Sequence, residues 1–312
     1  MISTALKQTT SRILMVRPAS FGYNEETAAS NAFQRRDGQA DPGQIRQKAM
    51  AEFDAMVSGL RENNIEVLVI EDSPLPEKPD AVFPNNWIST QEGGTIYTFP
   101  MESPIRRLEY RPNILDTIGE QYVVNAIFDF SDRADEDLFL EGTGSMILDR
   151  VNKIVYACTS PRTHEKLLLQ WCKVSGYQPF VFQATDAQGQ AIYHTNVLMG
   201  LGTEYVVICL EAIKSPSQRR LIIESFRNTG KDIVDISMEQ MMKFAGNVLE
   251  VENKYGERFL LLSQTALDSL LDDQKRIIER SAKLLAFDIP TIEKFGGGSV
   301  RCMVAELFLN KR

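Results

Sequence analysis

From residue 145 onward one pattern recurs three times: strand, tight turn, strand, amphipathic helix, strand. The first copy is SMILDRVNKIVYACTS, the helix PRTHEKLLLQWCKVSG and the strand YQPFVFQA. The second is TNVLMGLGTEYVVICLE, SPSQRRLIIESFRNTG and KDIVDIS; the third is NVLEVENKYGERFLLLS, QTALDSLLDDQKRIIERSAKLLA and FDIPTIEKF. The strands are rich in Val, Ile, Leu, Tyr and Phe and are joined by polar or Gly turns. The helices place apolar residues three and four apart and start at Ser-Pro or Ser-Gln-Thr, residue types suited to helix N-termini. Two looser copies precede these. One is the hairpin NNWISTQEGGTIYTFP, turning at Glu92-Gly93-Gly94, with helical RLEYRPNILDTIGEQY. The other runs from RILMVRP through a polar loop to the helix GQIRQKAMAEFDAMVSGLRENN and the strand IEVLVIE.

Five such units, each roughly 50 to 65 residues long, cannot bury their apolar faces alone and must stack on one another. The segment SVRCMVAELFLN is left over and is expected to pair with the first unit, closing a ring. The expected architecture is therefore α/β: one domain over residues 1–312, a five-bladed ββαβ propeller with pseudo-fivefold symmetry. No linker divides it. A chain of 312 residues, 43% of them hydrophobic, can fill such a core.

In a radial ring, equivalent positions converge on the axis, and the chemically active residues fall on equivalent positions. Asp80 and Asn85-Asn86 open the second unit, Glu141 the third, His194 the fourth and Cys302 the closing strand. Asn247 holds the matching place in the fifth. Singly, each has an ordinary structural role: a turn carboxylate, a core histidine, a small buried cysteine. Together they make a cysteine nucleophile, a proton carrier and an acid that orients the imidazole or grips a substrate nitrogen. His194 and Asn196, two apart on an expected strand, would face one side. Three glycines, Gly296 to Gly298, precede Cys302 and allow close backbone approach.

The net charge of −8 argues against nucleic acid as a partner, and no apolar run is long enough to span a bilayer. The N-terminal segment MISTALKQTTSRILMVRP lacks the apolar core of a signal peptide, so a cytoplasmic protein is expected. Four scattered cysteines and two histidines suggest neither disulfides nor a metal centre, and no cofactor is expected. The expected partner is a small-molecule substrate; a homo-oligomer is compatible with the sequence. Cys158, Cys172, Cys209 and His164 read as structural.

Four motifs in order resemble the pentein, or guanidino-group-modifying, superfamily over nearly the whole chain. They are Phe83-Pro84-Asn85-Asn86, Glu141-Gly142-Thr143-Gly144, His194-Thr195-Asn196 and the Gly297–Cys302 segment, which has one residue more than its counterpart. Within it, Arg17-Pro18-Ala19-Ser20-Phe21-Gly22-Tyr23-Asn24 and Asn31-Ala32-Phe33-Gln34 are similar to the citrulline-utilisation hydrolase branch. The resemblance implies a covalent Cys302 adduct, with His194 and Glu141, on a ureido or guanidino group. It implies citrulline hydrolysis to ornithine, carbon dioxide and ammonia. Amidinotransferase, arginine deiminase or dimethylargininase activity and a noncatalytic binding protein on the same ring are the alternatives. Deiminases clasp guanidinium with two aspartates, where this chain has Asn86 and Asn196. Amides are both donor and acceptor, as a ureido group is, and a carboxylate without a cation is costly in a closed site. Asp80 still offers an acid to a guanidinium. Phe83 belongs to the first motif; Arg17, Arg162 and Arg301 are candidates to bind a substrate carboxylate. Phe21 and Asn24 lie on a loop long enough to act as a lid.

Overall fold

The structure is a computed structural model that describes residues 6–28 and 30–312; the start of the N-terminal segment read above, residues 1–5, lies outside it. Among the described residues, fifteen strands form five three-stranded sheets. They are β1 (Arg12–Arg17), β2 (Glu66–Glu71), β3 (Ile88–Gln91), β4 (Thr95–Thr98), β5 (Ala126–Asp129), β6 (Ile147–Asp149), β7 (Ile154–Cys158) and β8 (Gln178–Phe182). The others are β9 (Met199–Leu201), β10 (Tyr205–Ile208), β11 (Asp232–Asp235), β12 (Leu249–Glu252), β13 (Arg258–Ser263), β14 (Lys283–Phe287) and β15 (Ala305–Glu306).

Each sheet is one blade: an antiparallel pair, then a helical crossover to a third strand lying parallel to the middle one. In the second blade Ile88 faces Thr98 antiparallel and Thr95 faces Ala126 parallel. A parallel partner needs such a crossover, because its start lies at the far end of the sheet. The first blade takes its inner strand from the other end of the chain. β15 runs antiparallel to β1, with Ile13 opposite Glu306 and Leu14 opposite Ala305. The ring of five ββαβ-like units is thereby closed.

The first crossover helix forms where its residues say it should. Pro42–Glu62 is capped by Asp41, whose carboxylate accepts from the Gln44 N–H, and Pro42 occupies the first turn. Ile45, Ala49, Phe53, Met56 and Leu60 repeat every three or four residues and are buried against the blade. Each of the larger side chains contributes up to about 1.5–3 kcal/mol on burial. The helix stops at Asn63, and Asn64 follows in the left-handed region with φ of 62°. Among the described residues no helix is long and apolar enough to cross a membrane.

Local expectations are corrected at several points. The helix expected through 264–286 breaks into Gln264–Ser269 and Asp272–Glu279, and its last residues form β14 instead. The segment read as the following strand is the helix Pro290–Gly296, started by a proline in its first turn. His194 and Asn196 do not lie on a strand: His194 precedes the single helical turn Thr195–Leu198, as Glu141 precedes Gly142–Ser145. Cys302 likewise sits in a turn, its N–H donating to Ser299 O at 2.9 Å, and the strand begins only at Ala305.

Candidate active site

The short turns that open the blades pack together at one end of the axis. Pro84–Asn86 and Thr195–Leu198 both pack against Gly142–Ser145. That closeness explains Gly144: a Cβ there would lie 2.3 Å from the Asn86 amide nitrogen and 2.9 Å from His194 Nδ1. Gly298 does the same for the other wall, since a Cβ would meet the Phe83 ring at 2.9 Å. Between the walls is a cavity lined by, among others, Asp80, Asn86, Arg106, Arg162, His194 and Cys302. Its free space, about 20 Å³, matches a water molecule rather than an amino acid. The segment over it is tied down: Asn31 Nδ2 donates to Gly297 O (3.3 Å), Gln34 Nε2 to Phe295 O (3.1 Å) and Arg162 Nη2 to Thr27 O (3.2 Å).

Glu141 Oε2 lies 2.7 Å from His194 Nε2, and both side chains are buried. Burial alone would push the Glu141 carboxyl up. Arg162 at 3.7 Å, the histidine and Arg106 at 3.9 Å outweigh it and hold the acid at about 2. Burial pushes His194 down to about 4, with the same two arginines adding to the shift against the pull of Glu141. The pair is therefore carboxylate and neutral imidazole. An ionised carboxylate only accepts, so Nε2 carries the proton and Nδ1 is left as the ring's acceptor.

The cavity's other polar groups have defined orientations. Arg106 is held by Glu109, at 2.7 and 3.0 Å, and its Nη1 donates to Asn86 Oδ1 at 2.9 Å. A guanidinium has no acceptor, so the Asn86 oxygen must face it and Nδ2 is left over; that nitrogen is buried without a partner. Asp80 Oδ2 accepts from Asn24 Nδ2 at 2.7 Å, while its Oδ1 is buried and unpartnered. Burial pushes the Asp80 carboxyl up, against Arg106 and Asn24. Asn196 donates Nδ2 to Cys302 Sγ at 3.4 Å and keeps an unpartnered Oδ1. Asn247 donates to Sγ at 3.2 Å.

Cys302, His194, Asn86, Asp80, Phe83 and Arg162 thus share one cavity; Glu141, Asn24, Asn196 and Asn247 contact its members directly. Phe21 packs beside Gly296. The Asn85 side chain is buried but does not line the cavity. Two carboxylate-clamp candidates are not brought to it. Arg17 leaves the blade edge and pairs with Asp54 at 2.7 Å. Arg301 points away from the cavity, to Val304 O and Glu306. The residue that sequence reasoning missed is Arg106. Its signal was a basic residue three before an acid, Arg106 and Glu109, a spacing also met on any solvated helix face.

His194 is expected to stay neutral well below the usual histidine range. Imidazole nitrogen NMR is tractable with two histidines, and His194→Gln assigns the signal. The Nε2–H form should persist at pH 5, where an unperturbed imidazole, with its value near 6.5, is mostly protonated. Arg162→Gln should raise its titration. A wild-type His194 that is fully charged at pH 5 would overturn the assignment. Because the folded state resists protonation while the unfolded chain does not, this group removes stability as pH falls from about 6.5 towards 4.

The family model described as N,N dimethylarginine dimethylhydrolase, eukaryotic, matches residues 17–309. Among solved structures, the chain is similar to the substrate-bound N-terminal domain of ArgZ, an arginine dihydrolase of the ornithine-ammonia cycle in cyanobacteria. That similarity has a TM-score of 0.73 at 15% identity and covers 95% of this chain and 97% of that one. AgrE with L-arginine gives 0.72 at 16% identity, covering 95% of this chain and 40% of AgrE. DDAH from Pseudomonas aeruginosa, complexed with citrulline, gives 0.66 at 13% identity, covering 96% and 100%. A search of curated proteins finds no match.

Proposed function

The chain belongs to the N,N dimethylarginine dimethylhydrolase family within the pentein superfamily, and we propose that it is a cysteine hydrolase of the ureido group of citrulline. The observation that carries this reading is the set of unpartnered polar atoms around Cys302. Apart from Arg162 Nε at the wall, they are one amide donor, Asn86 Nδ2, and two acceptors, Asn196 Oδ1 and Asp80 Oδ1. A ureido group offers one oxygen acceptor and N–H donors, the complement of that set. A guanidinium offers donors only and would leave the buried Asn86 donor unsatisfied.

The proposed chemistry uses these groups in two half-reactions. The Cys302 thiol proton passes to the free Nδ1 of His194, and the sulfur pair attacks the ureido carbon. Negative charge growing on the ureido oxygen meets the Asn86 N–H, which Arg106 orients. His194 returns the proton to the departing nitrogen, and ammonia leaves a thiocarbamate on Cys302. Water, relieved of a proton by His194, then attacks that carbon. The C–S bond breaks, its pair returns to sulfur, and the carbamate releases carbon dioxide and ornithine. Glu141 stabilises the imidazolium formed in each half. The cavity is too small for the substrate with residues 21–28 and 30–36 in place, so that segment acts as a lid.

Arg162 is the group proposed to bind the substrate carboxylate. Its Nε is buried and unpartnered at the cavity wall, and its ring contact is the Tyr193 face at 5.0 Å. Arg162→Gln should raise KM for an α-amino acid substrate about 10- to 150-fold, the worth of a charge-assisted hydrogen bond. KM for the decarboxylated analogue should change little. Equal losses on both would remove this role.

The function itself is tested with citrulline, arginine, agmatine, dimethylarginine and N-acylated arginines, each assayed for ammonia and ornithine. Citrulline giving both products is the expected result. Asp80 supports a guanidino substrate as the second reading. Ammonia with citrulline as product would establish deimination, and a new guanidino compound formed only with added amine would establish amidinotransfer. Either outcome displaces the citrulline reading.

A further inference from the structure

We propose that Asn247 is a catalytic residue whose side-chain N–H stabilises the thiolate of Cys302; the proposal rests on the cysteine-hydrolase reading above. Asn247 opens the fifth blade, the one blade whose equivalent position that mechanism leaves without a part. Its amide is locked at both ends. Oδ1 accepts the Arg301 backbone N–H at 3.1 Å, and Nδ2 donates to the Asn196 carbonyl at 3.0 Å. One partner can only donate and the other only accept, so the amide cannot be reversed. The remaining N–H of Nδ2 is what lies 3.2 Å from Sγ, and Oδ1 is farther, at 3.7 Å. Asn196 adds a second amide N–H at 3.4 Å. A buried sulfur that faces two fixed donors is stabilised in its charged form, because hydrogen bonds to an anion favour it over the neutral acid.

The other charged groups around the sulfur do not supply this help unambiguously. Across the cavity are the cations Arg106 and Arg162, the acids Asp80 and Glu141, neutral His194 and the Tyr193 hydroxyl. Behind the sulfur, the Arg301 side chain is turned towards Glu306. With His194 neutral, no imidazolium charge is present to stabilise a thiolate in advance. Fixed amide donors supply that stabilisation in both half-reactions, while His194 Nδ1 takes the proton. They favour the thiolate that attacks and the thiolate that leaves when the C–S bond breaks.

The test is Cys302 alkylation by iodoacetamide as a function of pH, followed by mass spectrometry. No substrate is needed, so the result is independent of which compound the enzyme turns over. The other thiols are poor competitors: burial pushes Cys158 up to about 12 and Cys172 and Cys209 up to about 11. Asn247→Asp keeps the volume and the oxygen facing Arg301 N–H but replaces the donor at sulfur by an anion. Asn247→Ala removes the donor and introduces no charge. Both variants should move the alkylation midpoint up by at least about one pH unit, slowing alkylation near pH 7 about tenfold or more. The aspartate should have the larger effect, and kcat should fall with KM little changed. If Asn247 merely braces the turn, the alkylation profiles will superimpose on wild type, and the proposal is overturned. If the midpoint shifts but no ureido compound is hydrolysed, the thiolate role stands and the substrate reading falls.

Discussion

Cys302→Ala protein is expected to lose turnover by about 10⁴-fold or more, the scale on which removal of a covalent nucleophile acts. The substitution takes away one buried sulfur in a turn held by backbone hydrogen bonds, so its melting temperature should stay close to wild type. Wild-type protein quenched during turnover should carry a covalent adduct on the tryptic peptide containing Cys302, and the alanine variant none. His194→Ala should cost about 10²- to 10⁴-fold, the usual contribution of a positioned acid–base group. The two losses should not add in the double variant, because nucleophile and base serve the same steps. Activity of the Cys302→Ala protein within tenfold of wild type would eliminate the covalent scheme.

The ring was legible because its blades repeat and their hairpins end in strong turn signals. Gly93 and Gly94 have φ of 88° and 82°, as the sequence Glu92-Gly93-Gly94 requires. Ring closure followed from one unpaired apolar segment. Near the axis the same logic loses its grip. Residues 296–309 are buried without interruption, so they carry neither the alternation of a surface strand nor the stripe of an amphipathic helix. The turn at Cys302 and the short strand after it therefore read as one strand. The turns after Glu141 and His194 were hidden in the same way. At β14 the error had another source: Lys283–Phe287 continues the helical spacing of the preceding residues, and pairing with β13 overrides that local preference.

That Asn86, Glu141, His194 and Cys302 lie together was legible because equivalent positions in a ring meet at its axis, which needs no knowledge of side-chain direction. The arginines were not, because a long side chain can leave its own element in several directions. Arg17 and Arg162 look alike in sequence, yet Arg17 faces Asp54 at the blade edge and Arg162 reaches the cavity. Arg301 is next to the nucleophile in sequence and points away from it in space. Only packing separates them.

Substrate choice should turn on a single amide. In Asn86→Asp protein one carboxylate oxygen can keep the bond from Arg106, so the wall of the cavity is retained. The other oxygen replaces the Nδ2 donor with a negative charge. Citrulline would then present its ureido oxygen to an acceptor, and kcat/KM should fall about 5- to 150-fold, the cost of leaving one buried partner unmatched. Arginine would gain a charge-assisted partner, and its Ki should tighten about tenfold or more. Asn196→Asp should show the same inversion with a deeper loss of rate. Its Oδ1, the acceptor proposed for the ureido N–H groups, is retained in an aspartate, but its Nδ2 donates to Cys302 Sγ, so the new charge opposes the thiolate. The contrast separates the roles: charge at position 86 should leave the pH dependence of Cys302 alkylation nearly unchanged, and charge at position 196 should raise it. Wild type that already prefers arginine, or aspartate variants that keep citrulline turnover with no gain in arginine affinity, would show that these asparagines do not tune the pocket to a neutral substrate.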